Sequence, residues 1–388
     1  MKVLVVSSKF RPEYSGSGYR AENTYKRLSK KFNVDYSIVT NSLIYKNDKY
    51  YDNVYRIGRK FKVDNCNLIK RKIFTLFNMI RELYKSWKYI KDRKDEFDLV
   101  HTFGNSWSVT FFTLYFNYLD KPIIRELCNE MDNPLYPPIF EKQMSKTFKK
   151  ENTLMVAISK RLEYVCKRFD IKNIWQRPNP IDEKKFFINY DKKYMLRANL
   201  SKFSQDDIVL VHLANYRPSK NHIFLVEMMK YLPNNFKLLL AGPLKKQDIG
   251  NFQKISNKIR ECHLENRIDL QSGFIDNFNE YIQMSDIFLF PSLSEGLGTP
   301  IYEAQACGVP VVSNFIEDVT NLAIKDNIGG FVLELNEEEF AKKVIEANKI
   351  TRENLIYNSK EILEKTSSEV IDEEYFNIIN KIKNENRY

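Results

Sequence analysis

Short apolar runs alternate with helical patterns along almost the whole chain, and this alternation constrains the fold more than any other feature. The runs are rich in Val and Ile, which is typical of strands buried on both faces of a parallel sheet. They cover residues 3–6, 34–40, 99–102, 122–125 and 154–158, and then 208–213, 237–241, 267–270, 287–290, 309–313 and 331–333. Helical patterns between them include residues 18–31, 68–91, 106–118, 160–169, 222–231, 251–262 and 300–307. Strand–helix alternation predicts an α/β fold with parallel, doubly wound sheets.

The alternation is interrupted at Arg177-Pro-Asn-Pro-Ile-Asp182, where two prolines break both helix and sheet. The chain of 388 residues also exceeds what one hydrophobic core usually supports. We therefore predict two Rossmann-like, doubly wound domains, residues 1–178 and 179–367, that face a central cleft at the carboxyl ends of their sheets. Residues 368–388 are predicted to form a C-terminal helix.

The net charge of +11 is unevenly distributed. Residues 1–180 hold 35 Lys and Arg against 19 Asp and Glu, whereas the remainder holds 26 against 31. A basic first half indicates an anionic surface or substrate facing it, although general lysine enrichment of surfaces is an alternative. A nucleic-acid-binding protein is disfavoured because the basic half lacks the basic–aromatic motifs of known modules.

Other classes are disfavoured by missing motifs. The five cysteines are scattered without a Cys-x-x-Cys pair, which predicts reduced thiols in a cytoplasmic protein and no structural zinc site. The N-terminal apolar run is too short for a signal peptide, and no run is long enough to span a bilayer. Ser15-Gly-Ser-Gly18 is a poor match to the glycine-rich turn of nicotinamide-dependent oxidoreductases.

The segment from Asp286 to Ser313 holds the strongest chemical signal. A buried strand ending at Pro291 is followed by Glu295-Gly-Leu-Gly298, then a helix that Thr299 is predicted to cap and that Gly308 ends. The glycines let backbone N–H groups approach a ligand, and a helix N-terminus favours an anion such as a diphosphate. Carboxylates do not help to bind a diphosphate, so Glu295 and Glu303 are predicted to contact sugar and ribose hydroxyls.

The stretch from Pro291 to Val312 resembles the Glu-x7-Glu motif of retaining GT-B glycosyltransferases, and within these family 4, the glycosyl transferases group 1. Weaker similarities occur in the family's order along the chain. They are Phe10-Arg-Pro-Glu-Tyr-Ser-Gly-Ser-Gly18, Phe97-Asp-Leu-Val-His101, Val156-Ala-Ile-Ser159, Pro178-Asn179, Ala241-Gly-Pro-Leu244 and Gly273-Phe274. The resemblance implies a GT-B fold whose C-terminal helix crosses back to the N-terminal domain.

The resemblance also implies a donor site in the second domain. Glu303 would bind the nucleotide ribose, and Glu295 would contact the transferred sugar as a catalytic residue. The remaining donor-site residues implied are Gly242, Phe274 and Ile275, of which the last two flank the base, and Gly296, Leu297, Gly298 and Thr299, whose amides meet sugar and phosphate.

The segment Asn215-Tyr-Arg-Pro-Ser-Lys220 lies between a strand and a helix and predicts a diphosphate clamp. Family members usually carry Arg where this chain has Asn215, so Arg217 is the alternative partner of Lys220. A solvated basic loop is the competing interpretation. Since no Asp-x-Asp or His cluster is present, we expect no metal cofactor.

The first domain is predicted to bind the acceptor. Gly16 and Gly18 would approach the phosphates or the acceptor closely. His101, at a strand end, is a second catalytic candidate that would line the cleft, with a packing role as the alternative. The family tends to place a His after the next strand, where this chain offers Glu126 or Cys128.

Residues 70–94 are basic, aromatic and helical in period. They predict either contact with an anionic membrane surface or an ordinary helix whose apolar face packs on the sheet.

Taken with the resemblance, these features imply a cytoplasmic, peripherally membrane-bound hexosyltransferase. It would move a sugar, with retention of configuration, from a UDP- or GDP-sugar to a hydroxyl of a glycan or lipid-linked acceptor. Cell-surface polysaccharide or lipopolysaccharide assembly is the expected setting. A nucleotide-sugar epimerase of GT-B fold is the alternative.

Overall fold

The computed structural model describes residues 1–11, 16–42, 53–58, 67–127, 133–273 and 275–385. The chain divides into two compact units. The first unit contains residues 1–179 together with 372–388, and the second contains residues 180–371.

The first unit is built on a parallel sheet with the order β3-β2-β1-β4-β5-β6-β7. Its strands are β1 (Lys2–Ser7), β2 (Asp35–Thr40), β3 (Val54–Arg56), β4 (Leu99–Phe103), β5 (Ile123–Leu127), β6 (Thr153–Ala157) and β7 (Ile174–Gln176). The central strands β4 and β5 are buried at every position, as their continuous apolar runs predict. The short edge strands β3 and β7 were not predicted.

The described part of the first unit contains five α-helices besides the last helix of the chain. They are α1 (Gly16–Phe32), α2 (Leu68–Ile90), α3 (Trp107–Tyr118), α4 (Glu141–Thr147) and α5 (Lys160–Arg168). The side chains of Asn67, Ser106 and Ser159 accept hydrogen bonds from the first turns of α2, α3 and α5. Each cap satisfies a backbone N–H that the helix itself leaves without a partner.

The second unit repeats this architecture with the parallel order β10-β9-β8-β11-β12-β13. Its strands are β8 (Ile208–Leu213), β9 (Phe236–Gly242), β10 (Ile268–Ser272), β11 (Ile287–Phe290), β12 (Val311–Asn314) and β13 (Gly330–Leu333). Its helices are α6 (Lys193–Leu200), α7 (His222–Met228), α8 (Ile249–Glu261), α9 (Phe278–Gln283), α10 (Thr299–Ala306), α11 (Thr320–Ala323), α12 (Glu337–Ala347) and α13 (Arg352–Thr366). Two apolar clusters pack against this sheet, so the second unit is a Rossmann-like layer structure.

The last helix, α14 (Ser368–Glu385), belongs to the first unit from Asp372 onwards. Asp372 accepts two hydrogen bonds from Arg27, at 2.6 and 2.9 Å. Tyr375 donates to the buried carboxylate of Glu126 at 2.7 Å. The end of the chain therefore completes the core of the first unit. Among the described residues, no helix is both long enough and apolar enough to cross a membrane.

Candidate functional site

The sheet of the second unit has one point where the strand order changes direction, between the neighbours β8 and β11. In doubly wound sheets, ligands bind beyond the carboxyl ends of the strands at such a point. The loop after β8 contains residues 214–221 and the loop after β11 contains residues 291–298. Both segments that the sequence singles out for chemistry therefore start at this point.

The two loops are joined by a hydrogen bond and an ion pair. The backbone N–H of Leu293 donates to the carbonyl of Ser219 at 2.9 Å. Lys220 Nζ forms an ion pair with Glu295 Oε1. Their side chains are 22% and 16% exposed, so the pair lies at the surface of the unit but largely out of water. The predicted diphosphate cation and the predicted sugar-binding carboxylate are thus in direct contact.

An aromatic and imidazole cluster supports the loop after β8. Tyr216 is buried and stacks on His222 with ring centroids 4.9 Å apart, and His222 contacts His212 at 4.7 Å. Burial lowers the pKa of His212 to about 4 and that of His222 well below its ordinary value. Both rings are therefore neutral at neutral pH. Sequence reasoning missed these supporting residues, although they flank Lys220 closely in the sequence.

The loop carries two different cations. Lys220 is partly buried and paired with Glu295, whereas Arg217 is exposed. Within the described part of the chain, the Arg217 guanidinium makes no ion pair. Asn215 accepts a hydrogen bond from the Arg217 backbone N–H at 3.3 Å, so its side chain shapes the turn. Which of the two cations clamps a diphosphate remains a prediction, and the geometry favours Lys220.

Helix α10 begins one residue earlier than a cap at Thr299 would require. Gly298, with φ of +70°, occupies the cap position and Thr299 is the first helical residue. The prediction for Thr299 was wrong because the left-handed conformation of Gly298 turns the chain into the helix, a conformation that favours glycine. Gly308, with φ of +67°, ends the helix as predicted, and Val309 N–H donates to Ala304 across it at 3.0 Å.

Glu303 lies in α10, one turn from its start. Although part of its surface remains accessible, burial raises the pKa of its carboxyl to about 7. Among the described residues no hydrogen bond or ion pair to this carboxyl is found. A carboxylate with no protein partner near a helix N-terminus is suited to accept hydrogen bonds from ligand hydroxyls.

The other predicted donor-site residues differ in how far their side chains are available to a ligand. A Cβ on Gly242 would lie 1.9 Å from the Ala214 carbonyl oxygen, so close backbone packing alone requires glycine there. The Leu297 side chain is buried, which leaves only its backbone for a ligand. Ile275 is half-buried and packs on the apolar core, and Phe274 lies outside the described residues.

The candidates in the first unit are placed less favourably for contact with substrate. A Cβ on Gly18 would lie 2.4 Å from the Lys9 carbonyl oxygen, whereas Gly16 has open space around it. His101 has no exposed surface, and its Nδ1 lies 2.8 Å from the hydroxyl of Tyr25. Burial lowers the pKa of His101 to about 3, so the ring is neutral. In this structure His101 packs inside the first unit, as the alternative interpretation expects, and its catalytic role stays a prediction.

Glu126 does not replace the family histidine at an open surface. It is fully buried, 3.0 Å from Arg20 and 2.8 Å from Arg177. Burial acts to raise the pKa of Glu126, but Arg177 and Arg20 outweigh it and hold the pKa below its ordinary value. Cys128, the other candidate for that role, lies outside the described residues.

Residues 198–362 match the sequence model of the family described as "Glycosyl transferases group 1". These residues form a glycosyl transferases group 1 domain. The group 1 domain contains Lys220, Glu295 and Glu303, and its match confirms the predicted relationship to this family.

Curated relatives match over comparable stretches. The UDP-Gal:alpha-D-GlcNAc-diphosphoundecaprenol alpha-1,3-galactosyltransferase of Escherichia coli is 29% identical over 168 residues, 41% of each chain. The N-acetyl-alpha-D-glucosaminyl L-malate synthase of Bacillus anthracis is 28% identical over 183 residues, 46% of this chain and 44% of the relative. The matched segments thus span less than half the length of these relatives.

Solved structures extend the likeness beyond the group 1 domain. HepE of Anabaena, determined in complex with UDP, superposes with a TM-score of 0.76 and 15% identity. The superposition covers 98% of this chain and 100% of HepE. At this identity the likeness concerns the fold, and it confirms the predicted GT-B class.

Proposed function

We propose that the chain is a retaining glycosyltransferase that moves a hexose from a nucleotide diphosphate sugar to a hydroxyl of a glycan or lipid-linked acceptor. Membership of residues 198–362 in the glycosyl transferases group 1 supports the transferase class. The Escherichia coli relative uses UDP-galactose, and HepE binds UDP, so UDP is the first nucleotide to test and GDP the second.

The ion pair between Lys220 and Glu295 is the observation that carries the proposal. The bond broken in sugar transfer joins the anomeric carbon to the diphosphate. A site for this bond needs a cation on the diphosphate side and a hydroxyl-binding group on the sugar side, close together. Lys220 and Glu295 meet this requirement because their side chains are in contact.

Electrostatics then accounts for the chemistry. Breakage leaves negative charge on the diphosphate and an oxocarbenium-like sugar. Lys220 and the N-terminus of α10 would stabilise the departing charge without reorganisation. In the retaining reaction we propose, a departing phosphate oxygen takes the proton of the acceptor hydroxyl as that hydroxyl attacks the anomeric carbon from the same face.

Fixed positive charge of this kind also underlies the expectation that no metal is needed. Undiminished turnover in the presence of EDTA supports this, and activity restored only by a divalent cation overturns it.

The acceptor is proposed from charge and from the relatives. The Escherichia coli relative is named for a diphosphoundecaprenol-linked sugar, whereas the Bacillus anthracis relative is named as the synthase of a glucosaminyl L-malate, so the names of the relatives point to different acceptors. The basic first half of this chain favours an anionic, lipid-linked acceptor at the cytoplasmic face of a membrane. Cell-surface polysaccharide or lipopolysaccharide assembly is the setting that we propose.

The decisive test is a screen for nucleotide release. The purified chain is incubated with UDP- and GDP-sugars, with and without a lipid-linked or short glycan acceptor. We expect release of one nucleotide that increases with acceptor, together with a glycosylated product. Conversion of the sugar nucleotide to its epimer without acceptor would favour the epimerase alternative, and absence of binding to every sugar nucleotide would remove the transferase proposal.

The two glutamates are expected to affect different kinetic constants. Glu303→Ala removes a ribose acceptor and should weaken UDP binding about tenfold or more, because hydrogen bonds to a charged group are lost. Glu295→Ala should mainly lower kcat, since its proposed contact is to the moving sugar. Calorimetric binding of UDP and steady-state kinetics of both variants separate these roles, and unchanged affinity and turnover in both would contradict the assignment.

The raised pKa of Glu303 predicts opposite effects on stability and binding. A carboxyl whose folded-state pKa exceeds its unfolded value stabilises the fold below the unfolded pKa and loses that contribution as pH rises through about 7. The free energy that corresponds to this pKa shift is reduced because the Glu303 side chain is partly exposed to solvent. We therefore expect Glu303→Gln to be more stable than the wild type by about 2 kcal/mol at pH 8 and equally stable near pH 4.5.

UDP binding should change in the other direction. The wild-type affinity should rise as pH increases through about 7, because the carboxylate is the better acceptor for ribose hydroxyls. The glutamine variant should lack this dependence and bind more weakly above pH 7. Thermal unfolding without nucleotide and UDP titrations at several pH values measure both effects, and a parallel pH dependence in the two proteins would contradict the prediction.

A further inference from the structure

Most of the large apolar side chains of helix α2 lie on the outside of the first unit. Large hydrophobic residues recur every three or four positions along one face, so they form a continuous stripe. The exposed residues are Leu68, Ile69, Ile73, Leu76, Phe77, Ile80, Tyr84 and Trp87. Leu68 and Ile69 are each 70% exposed. Monomeric proteins rarely expose contiguous apolar surface of this extent without a partner.

The side of α2 that faces the protein is partly polar, with Glu82 and Ser86 both buried. The Glu82 carboxylate accepts hydrogen bonds from the side-chain amide of Asn41 and from the backbone N–H of Ser108. These bonds fix which side of the helix faces inward. The alternative of an ordinary helix with its apolar face on the sheet is therefore wrong.

An apolar groove adjoins the stripe. It has a volume of about 600 Å³ and lies between the second half of α2 and the outer side of α3. Among its lining residues are Leu83, Tyr84, Trp87, Trp107, Phe111 and Tyr115. Helix α3 carries no charged residue, so stripe and groove form one surface, which we call the α2–α3 surface.

The charge of α2 indicates the chemistry of the partner. The helix carries six Lys and Arg, including Lys70, Arg71 and Lys72 near its start. Its only acidic residue is Glu82, which is buried. The partner must therefore combine hydrocarbon with negative charge. A second copy of this chain fails this requirement, because contact would bring two sets of six cations together.

We propose that the α2–α3 surface is a hydrocarbon-binding surface that inserts into one leaflet of an anionic bilayer. The stripe from Leu68 to Trp87 extends about 28 Å along the helix, so α2 would lie in the membrane plane rather than cross it. Trp and Tyr side chains in the groove suit the boundary between headgroups and acyl chains. This inference rests on the proposed function in one respect: insertion into the bilayer would bring the enzyme to a lipid-linked acceptor.

Tryptophan fluorescence gives a direct test, because the chain has only Trp87, Trp107 and Trp175. Two variants each retain one tryptophan, Trp87 or Trp175, with the others changed to Phe. They are mixed with vesicles of equal parts phosphatidylglycerol and phosphatidylcholine that carry bromine on the acyl chains. The fluorescence of Trp87 should fall about twofold or more on binding, whereas that of Trp175, which is half-buried and packs on Tyr375, should not change. Equal quenching of both, or of neither, overturns insertion.

Matched substitutions separate hydrocarbon contact from simple charge attraction. Ile73→Ser with Ile80→Ser should weaken vesicle binding at least about tenfold, because two exposed isoleucines no longer enter the hydrocarbon. The control, Leu322→Ser with Ile356→Ser, changes two residues of the second unit that are similarly exposed and should leave binding unchanged. Equal losses in both pairs overturn the proposal. So does a dimer in solution that the α2 pair converts to a monomer.

Charge reversal at Lys70, Arg71 and Lys72 tests the electrostatic part. The reversal should weaken binding to the anionic vesicles at low salt. In the protein molecules that still bind, Trp87 should be quenched as before. Unchanged binding overturns the role of these cations. UDP binding by the α2 pair should equal that of the wild type. If the α2 pair loses vesicle binding but still binds UDP, the result supports the membrane surface and leaves the proposed function untouched. If the wild type does not bind UDP, the proposed function is contradicted, whatever the vesicle result.

Discussion

Replacing Lys220 by alanine is expected to lower kcat for sugar transfer about 100- to 1000-fold, the range found when one preorganised donor to a developing negative charge is removed. Lys220 is the partly buried cation at the strand-order reversal, in contact with Glu295. Its attraction to the diphosphate increases as the anomeric bond breaks, so the loss should fall mainly on kcat and less on the KM for the donor. Nucleotide release under saturating donor measures it.

Two variants complete this experiment. Arg217→Ala, at the exposed cation of the same loop, should cost about tenfold or less, because a solvated charge contributes little. Lys254→Ala, at an exposed lysine of α8, should leave kcat unchanged. If Arg217→Ala proves the more damaging change, Arg217 is the diphosphate clamp and the assignment of Lys220 fails.

Replacing Glu126 by glutamine is expected to destabilise the first unit by about 3–5 kcal/mol, the usual loss when one partner of a buried ion pair is removed. The carboxylate has no exposed surface and is paired with Arg20 and Arg177. Without it, the buried guanidinium group of Arg177 and the largely buried one of Arg20 lose their counter-charge. Since Tyr375 also donates to Glu126, the docking of α14 on the first unit should weaken as well.

All three tryptophans lie in the first unit, so denaturant unfolding followed by their fluorescence reports on that unit alone. Glu96→Gln is the matched control, because Glu96 also pairs with two cations, Lys2 and Arg93, but at an exposed position. The Glu96→Gln substitution should lower the free energy of unfolding by no more than about 1 kcal/mol. Similar losses in the two variants would show that the buried cluster contributes no more than a surface pair.

Most strands could be predicted because their residues are buried on both faces and form uninterrupted apolar runs. β3 and β7 were missed because each has three residues at the edge of its sheet, too few to form a pattern. The predicted cap Thr299 was displaced by one position because Gly298 takes up the left-handed conformation. Composition and spacing do not report backbone dihedral angles.

The candidate site was predictable only in part, for a similar reason. The spacing of Glu295 and Glu303 within one loop and the helix that follows it is a local property, so it can be recognised from the sequence alone. The support of the Lys220 loop by Tyr216, His222 and His212 was missed, because burial of neutral imidazoles depends on neighbours that are distant in the chain. His101 was predicted at a strand end, but whether a strand end faces a ligand or the core depends on packing.

The sequence by itself determined the two α/β units, the linker between them and the loop–helix segment that carries both glutamates, since each depends on residues close together in the chain. Only the tertiary structure decided that Lys220 contacts Glu295, 75 residues away, and that burial raises the pKa of Glu303. It also decided that α2 presents its apolar face outward. The physical reason is that burial, desolvation and ion pairing arise from contacts between distant segments, which the spacing of residues along the chain does not specify.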